Sequence, residues 1–443
     1  MRHYSPGQKS HLIDRTGRTD RTGRGRRLAG RAAVLGLVMV LVGLAAGTGL
    51  ARSRAAVEAD FQHFITQLWP QAQTRGVSRG IFDAAFRGIA LDWSLPDLDP
   101  GITGEKPDTT RRQAEFGSPG RYFDEASIAA LAAQGQAQMK RYRPVLAGIE
   151  NRFGVPAGIL VAMWGRESNY GRAAIPYDGV RNLATLAFMG RRADTFRPEL
   201  LAALVILEKG HIKRSQMKSS WAGAMGHMQM LPSQVLAHAV DFDGDGRADI
   251  WGSVPDALAS AANFLKARGW RAGEAWGYEV TMPTRFDCTL EGPDFGRPVA
   301  AWLKMGLEPA GGQAIPEARL GDLAFLIAPA ARFGPAFLGT RNYYVIKSYN
   351  ESDLYVIYIG HLAGRISADR HFAGRWGNVS IYSRAEVAAL QKKLVAEGYN
   401  VGDAIDGLIG FRTRIATGLY QKKYGLAFDC WPGPQVFGHA GVR

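Results

Sequence analysis

Apolar side chains recur at three- and four-residue spacing along most of the chain, which is the periodicity of amphipathic helices. The clearest stretches are residues 57–93 and 124–268, and a further apolar segment covers 343–366. In the first stretch the apolar face comprises Phe61, Phe64, Ile65, Leu68 and Trp69. Residues 281–321 are rich in Gly and Pro and are expected to be irregular. The pattern therefore predicts a mainly helical protein, mainly α within the α+β class.

The last part of the chain, residues 379–443, has a helical pattern of its own. One helix face is formed by Val387, Leu390 and Leu394, and Gly398 is expected to end that helix. The ordered positions are Leu390, Gln391, Leu394, Gly398, Tyr399, Asp406, Gly407, Gly410, Thr413, Ala416, Tyr420, Gln421, Gly425 and Leu426. In that order they resemble the peptidoglycan-binding domain, a three-helix module that binds the cell-wall polymer. The final Asp-Gly of that pattern is replaced by Asp-Cys at 429–430.

Composition narrows the classes of protein to consider. Of the 443 residues, 46% are apolar and 21% are charged, which is typical of globular domains and excludes a disordered chain. The net charge of +14 suggests nucleic-acid binding, but residues 1–54 alone contain 11 basic and 2 acidic side chains. The rest of the chain holds 43 basic and 38 acidic side chains, so no nucleic-acid partner is expected. Cys288 and Cys430 show no metal-site spacing and indicate no disulfide framework.

The N-terminus has the pattern of an export signal. Several arginines precede residues 32–51, which contain no charged side chain. At about 1.5 Å per residue, a helix of this length could also cross the roughly 30 Å hydrocarbon core of a bilayer. Residues 1–54 are therefore interpreted as a basic N-terminus with a signal peptide, or with a membrane anchor at 32–51.

One acidic residue interrupts an otherwise apolar helix face. In the helix expected to begin at Pro156, Glu167 follows Met163 and Trp164 by four and three positions and shares their face. Gly171 is expected to end this helix, so Glu167 lies in the last turn, where the helix dipole disfavours a carboxylate. Apolar neighbours and the dipole both raise the pKa of the carboxyl group, as a general acid requires. The alternative is a structural Glu paired with one of Arg166, Arg172, Arg191 or Arg192.

Further motifs accompany this helix in a fixed order. They are GRESNYG at 165–171, RR at 191–192, Ser220 with AGAMGHMQMLPS at 222–233, DFDGDG at 241–246, ANF at 262–264 before Gly269 and Trp270, and Tyr349, Asn350 and Tyr355. In order and spacing this set resembles the B-type membrane-bound lytic murein transglycosylases over residues 57–366. The resemblance implies a lysozyme-like catalytic domain with an EF-hand-like loop, assigned to 55–378, followed by the three-helix module at 379–443.

The resemblance also implies roles for individual residues. Glu167 would be the single catalytic acid and base. Thr195 and Phe264 stand where the family has tyrosines, which puts sugar contacts in doubt but not the chemistry. The residues expected to bind substrate are Ser220, Gln229, Tyr349, Asn350 and Tyr355, with Arg191 and Arg192 toward the stem peptide or glycan.

An enzyme of this family would cleave the β-1,4 bond between N-acetylmuramic acid and N-acetylglucosamine in peptidoglycan and release 1,6-anhydromuropeptides. One carboxyl group suffices, because after protonating the leaving oxygen it can accept the proton of the C6 hydroxyl of the same sugar. Two alternatives stay open: a hydrolytic muramidase with Asp178 as a second carboxylate, and an inactive wall-binding scaffold. The resemblance implies a periplasmic or envelope monomer, whose partner is the glycan strand and whose chemistry needs no cofactor.

A calcium site is expected in the DFDGDG segment. Asp241, Asp243 and Asp245 match positions 1, 3 and 5 of an EF-hand loop, and Arg247 would supply a main-chain carbonyl at position 7. Position 12, normally Glu, is a glycine. In the family that the chain resembles, a later carboxylate closes the site, for which Asp256 is the candidate. The alternative is a solvated Asp-Gly turn without a metal.

Overall fold

The structure, a computed structural model, describes residues 53–104 and 118–442. The basic N-terminal segment and the apolar residues 32–51 lie outside the described residues, so the signal-or-anchor interpretation stays a prediction. Within the described ranges no single helix is long and apolar enough to cross a membrane. The helices Arg143–Phe153 and Ala157–Ser168 pass that test only as a pair, with a bend of 112° between them.

The first part of the fold is helical, as the periodicity predicts. Its helices are α1 (Arg54–Thr74), α2 (Arg79–Phe86), α3 (Pro100–Thr103), α4 (Glu125–Arg141), α5 (Arg143–Phe153), α6 (Ala157–Ser168), α7 (Gly179–Met189), α8 (Ala193–Glu208), α9 (Pro232–His238) and α10 (Val254–Ala267). A short antiparallel pair, β1 (Tyr177–Asp178) and β2 (Lys218–Ser219), lies among them. The predicted stretches 57–93 and 124–268 thus fold into several helices separated by short turns.

Helix α6 lies in the core because almost its entire sequence is apolar. Residues from Gly158 to Gly165 are buried on every side, and only the last turn carries polar side chains. The helix ends at Asn169, which adopts a left-handed conformation with φ 50°. The prediction that Gly171 ends the helix was therefore wrong. Gly171 lies two residues after the cap, where a Cβ atom would collide with the His227 ring. Asn can replace Gly at this position because it tolerates the left-handed region.

The segment that was expected to be irregular contributes to an antiparallel sheet of five strands. The strands are β3 (Gly277–Thr281), β4 (Arg297–Pro298), β5 (Glu308–Pro309), β6 (Leu323–Ile327) and β7 (Ala336–Gly339), in the order β4–β6–β7–β3–β5. The helix α11 (Val299–Lys304) lies between two of them. Most of 281–321 has no α-helix or strand, as expected, but the segment also contains β4, α11 and β5, which were not predicted. Strands of two residues between Gly and Pro are too short to show a period-two pattern.

Two helices follow the sheet and return the chain to the helical core. They are α12 (Arg341–Lys347) and α13 (Asp353–Ala368). Ser352 caps α13 by accepting a hydrogen bond from the Tyr355 N–H. Most of α13 is buried, and it packs beside α6 and α4. This packing brings the first turn of α13 against the last turn of α6.

Residues 379–443 form the three helices that their pattern predicts: α14 (Arg384–Ala396), α15 (Phe411–Tyr424) and α16 (Pro434–His439). The buried Gln391 explains part of the motif. Its amide nitrogen donates to Asp406 Oδ1 and to the Leu408 carbonyl, and its amide oxygen accepts from the Gly407 N–H. One side chain thus holds the turn between α14 and α15. Assignment of this region as a separate domain stays a prediction.

The module is joined to the sheet by covalent and ionic contacts. Cys288 and Cys430 form a disulfide across 142 residues of sequence, with 6.1 Å between their Cα atoms. Arg414 of α15 pairs with Glu291 at 2.5 Å, and both side chains are buried. The sequence left the state of the two cysteines open, because a bridge between distant segments leaves no spacing pattern in the sequence. The described residues belong to one compact unit.

Candidate active site

Glu167 lies where α6 and α13 meet. It is in the last turn of α6 and is partly buried. Tyr355, in the first turn of α13 and 2% exposed, donates its hydroxyl proton to Glu167 Oε1 over 2.5 Å. The two predicted site residues thus contact each other across 188 positions of sequence. The hydrogen bond fixes one carboxylate oxygen, so the other oxygen is the one placed to exchange protons.

Burial decides the protonation of Glu167. Removal from water raises the pKa of its carboxyl group from 4.5 to about 7, although the hydrogen bond from Tyr355 and the charge of Arg166 both lower it. Desolvation outweighs both, as expected for a carboxyl group on an apolar helix face. Burial and the neighbouring carboxylate also raise the pKa of Tyr355 well above its usual value, so its hydroxyl stays a donor. Near neutral pH, Glu167 can therefore both give and take a proton.

Arg166 packs against two perpendicular tyrosine rings beside Glu167. Its guanidinium carbon lies 4.8 Å from the ring centroids of both Tyr122 and Tyr358, and it donates to the Tyr122 hydroxyl over 2.8 Å. Sequence reasoning considered Arg166 only as a partner of Glu167 and missed Tyr358. A signal was available, because Tyr358 lies three positions after Tyr355 on the same side of α13.

A loop from residue 219 to 230 forms one wall beside the acid. Ser220 accepts the Ala224 N–H on its hydroxyl oxygen, and Gln229, with φ 52°, donates from its amide to the Gly226 carbonyl over 3.0 Å. Tyr349 donates its hydroxyl to the Met228 carbonyl. These three predicted residues therefore belong to one connected structure. Burial raises the pKa of the Tyr349 hydroxyl well above its usual value, and the nearby Glu167 carboxylate raises it further.

Phe264, which stands where the family has a tyrosine, packs against the same wall. The Phe264 ring is fully buried and meets the Tyr349 ring edge-on, with centroids 5.2 Å apart. Asn350 is exposed, and its side-chain oxygen accepts the Ser352 N–H just before α13. Phe264 thus stabilises Tyr349 through apolar contact, where a hydroxyl would have to find a polar partner.

The structure places Arg191 and Arg192 together on one carboxylate. They contact the two oxygens of Asp97 at 2.6 and 2.7 Å, and the Arg191 N–H also donates to the Asp97 carbonyl. Asp97 was missed by the sequence analysis, and it adopts an unusual φ of 73°. Both arginines stay half exposed, so each keeps part of its guanidinium toward solvent.

Asp178, the carboxylate that a hydrolytic mechanism would use, has structural partners. One oxygen accepts the Arg181 N–H and caps α7, and the other pairs with Arg214 at 2.8 Å. Both oxygens are thus occupied in holding α7 and the segment before β2. This arrangement favours a structural role for Asp178.

Carboxylate oxygens of Asp241, Asp243 and Asp245 lie within 4.8 Å of one another and are exposed. Asp256, the expected closing ligand, is fully buried instead. Its oxygens accept three main-chain N–H groups of the loop, at residues 242, 243 and 249. The loop thus has three exposed carboxylates on its surface, and one buried carboxylate that stabilises its main chain through hydrogen bonds.

Residues 60–364, more than half of the chain, match the family model of the transglycosylase SLT domain. The chain belongs to the transglycosylase SLT domain family. Family membership confirms the lytic transglycosylase resemblance found in the sequence.

Relatives within this family extend the comparison. Membrane-bound lytic murein transglycosylase B of Escherichia coli (strain K12) is 31% identical over 224 residues, which are 49% of this chain and 59% of that protein. The match therefore spans less than two thirds of the length of that curated relative. SltB3 from Pseudomonas aeruginosa, in complex with NAG-NAM-pentapeptide, is 38% identical with a TM-score of 0.77 and covers 86% of this chain and 99% of its own.

A further similar structure contains calcium. The lytic transglycosylase Slt35 of Escherichia coli, in complex with calcium, is 25% identical with a TM-score of 0.54, over 70% of this chain and 93% of its own. Together the neighbours confirm the predicted fold class, a mainly helical α+β protein with a lysozyme-like domain.

Proposed function

We propose that this protein is a lytic transglycosylase that cleaves the β-1,4 bond between N-acetylmuramic acid and N-acetylglucosamine in peptidoglycan glycan strands. The observation that carries the proposal is Glu167, a partly buried carboxyl group with a pKa of about 7, held by Tyr355. A relative of the same fold is known with a NAG-NAM-pentapeptide. The enzyme would belong to the carbon–oxygen lyases.

In the first step, protonated Glu167 gives its proton to the glycosidic oxygen. The bond between that oxygen and C1 of N-acetylmuramic acid breaks, N-acetylglucosamine leaves with the proton on its O4, and positive charge develops at C1. A pKa near 7 keeps a useful fraction of the acid protonated at neutral pH. Tyr355 meanwhile bonds to the other side of the carboxyl group.

In the second step, the Glu167 carboxylate removes the proton of the C6 hydroxyl, and O6 bonds to C1 to give the 1,6-anhydro product. The acid is restored, and no water is consumed. Arg166 favours the carboxylate form during this step, because its charge lowers the pKa of Glu167. One carboxyl group thus serves both half-reactions, and no cofactor is needed.

We further assign substrate contacts around this acid. Ser220 and Gln229 of the loop wall, with Tyr349, would line the glycan groove, and exposed Asn350 would orient the acetamido group. Arg191 and Arg192 would face carboxylates of the stem peptide with the solvent-directed parts of their guanidinium groups.

The loop at 241–247 would hold a structural Ca²⁺. Asp241, Asp243 and Asp245 present oxygen donors close enough to share one ion, and the Arg247 carbonyl would complete the main-chain contribution. Asp256 is assigned to support of the loop through its hydrogen bonds. Bound calcium would neutralise the mutual repulsion of the three carboxylates and would take no part in the reaction.

The products distinguish a transglycosylase from the muramidase. Muropeptides released from purified sacculi by the wild-type chain should be anhydro species, lighter by one water than hydrolysis products, as measured by mass spectrometry. Glu167→Gln should release at least about 100-fold less, because it cannot transfer protons. Reducing ends as the only product would refute the proposal in favour of hydrolysis, and full activity of Glu167→Gln would remove this residue from the mechanism.

The proposed location is the cell envelope, where the glycan strand is found. Export would depend on residues 1–54, with 32–51 as a signal or as an inner-membrane anchor. The chain is proposed to act as a monomer.

A further inference from the structure

The helix α15 uses one face to attach the C-terminal module to the rest of the chain. Arg414 pairs with buried Glu291, and Lys422 pairs with Asp287 at 2.7 Å. On the same face, the ring of Phe411 lies so close to Gly292 that a Cβ atom there would collide with it, and Gly418 faces the Cys430 sulfur in the same way. These helix positions are spaced by three or four residues and form one stripe. Arg414 is buried on this stripe and Lys422 is held by its ion pair, so this face of α15 serves mainly to attach the module.

The opposite face of α15 carries aromatic residues. Tyr420 and Tyr424 each follow a member of the covered stripe by two positions, which rotates them by about 200° around the helix. Their ring centroids are 4.6 Å apart, and Tyr424 lies 4.5 Å from the His439 ring of α16. Tyr420 is buried and bonds to His439 Nδ1 at 2.7 Å, whereas 38% of Tyr424 is exposed. Buried Tyr420 thus anchors an outward-facing pair of rings.

Charged groups surround these rings. Glu397 accepts the Tyr424 hydroxyl at 2.7 Å and pairs with Lys423 at 3.1 Å and Lys393 at 3.4 Å. The Lys423 ammonium lies 4.9 Å from the centroid of the Tyr424 ring. Two cations around one anion leave a net charge of +1 beside the aromatic surface. Tyr399, 6.2 Å from Tyr420, extends that surface.

We propose that Tyr399, Tyr424 and His439, with Lys393 and Lys423 at their edge, form the site through which the module binds peptidoglycan. This inference rests on the proposed function. The tyrosine rings would stack on the apolar face of an N-acetylhexosamine, since exposed aromatic side chains offer large contact area at low entropic cost. The lysines would attract carboxylates of the stem peptides, and their net charge matches an anionic polymer.

The distribution of exposed apolar groups supports this surface as the binding face. Seven large apolar side chains are exposed among the described residues, and five of them lie in the module: Ile381, Val395, Ile405, Leu419 and Tyr424. Only Tyr424 of these five combines an exposed ring with charged neighbours that hold it in place. The other four are aliphatic and provide internal controls.

The test measures binding of the full-length chain to purified sacculi by cosedimentation, in the Glu167→Gln background so that the polymer is not digested. Tyr424→Ala combined with His439→Ala should weaken binding by about ten-fold, as for loss of a central aromatic contact. Leu419→Ala on the same helix is the matched control, because its exposure of 40% is similar, and it should bind like the parent. Tyr424→Phe keeps the ring and should stay within about two-fold of the parent.

Two charge-reversal variants provide a second test, which still applies if the aromatic variant misfolds. Lys423→Glu should weaken sacculus binding and Lys392→Glu, at an exposed position outside the site, should not. Equal binding of the parent, of Tyr424→Ala with His439→Ala, and of Lys423→Glu would overturn the site. Equal losses from the control variants would also overturn it. Product analysis of the wild-type chain tests the proposed function separately, because binding is measured without turnover.

Discussion

At the level of single residues, the spacing of apolar positions predicted the apolar surroundings of Glu167 but not the polar and aromatic side chains that contact it. A carboxyl group on an apolar helix face is visible in the sequence, and its raised pKa follows from burial. The family resemblance implied Tyr355 as a substrate-binding residue, but its contact with Glu167 was not predicted, since no local pattern links residues so far apart. The contact of Arg166 with the rings of Tyr122 and Tyr358 was not predicted, because it depends on how three separate segments pack.

Arg166 provides a prediction for the pH dependence of catalysis. Its positive charge lowers the pKa of Glu167, so Arg166→Leu should raise that pKa further. The reaction begins with protonated Glu167, and the alkaline limb of kcat/KM should therefore move to higher pH. The measurement is a pH–rate profile on a soluble glycan substrate.

Arg172→Leu is the control for this profile, because Arg172 lies beyond the end of the same helix and bonds to Asn169. Its alkaline limb should match that of the wild type. A lower rate for Arg166→Leu with an unmoved limb would assign Arg166 to support of Tyr122 and Tyr358 alone.

At the level of elements, strongly periodic helices were predictable and short strands were not. For the helix that carries Glu167, only the predicted end was wrong, because the helix is capped at Asn169 and not at Gly171. The sheet between 277 and 339 was missed, because pairing of two-residue strands is decided by contacts across the sheet. In the 241–247 loop, the sequence predicted the three clustered carboxylates, but the burial of Asp256 depends on its position in the first turn of α10.

The calcium loop leads to a prediction about stability. If Ca²⁺ binds the folded form only, a concentration of 100 times Kd should stabilise it by about 2.7 kcal/mol. Thermal unfolding should therefore show a higher Tm with Ca²⁺ than with chelator. Asp243→Ala combined with Asp245→Ala should remove the difference, and Asp403→Ala, in an exposed turn of the module, should preserve it. A Tm that does not change over a wide range of Ca²⁺ concentrations would contradict the calcium site and favour a solvated turn without a metal.

At the level of the whole molecule, the sequence indicated the order of the regions but not how they are joined. The pattern over 379–443 predicts three helices, and these form. The sequence suggested a separate module, whereas the structure joins it to the sheet by a disulfide and a buried ion pair. Neither contact has a local signature, since each joins segments more than 100 residues apart. The module is thereby attached to the segment at residues 288–291, which precedes β4.

The last prediction concerns this attachment. Glu291 and Arg414 are 2% and 3% exposed, so removal of either partner leaves a buried charge without compensation. Arg414→Met should cost about 3–5 kcal/mol in the free energy of unfolding, and Glu291→Met a similar amount. The double variant should cost much less than the sum, because it buries no charge. Urea denaturation of the four proteins with the disulfide intact gives the coupling energy. Additive losses would show that the pair contributes little to docking, and the disulfide and the Phe411 contact would then be the main attachment of the module.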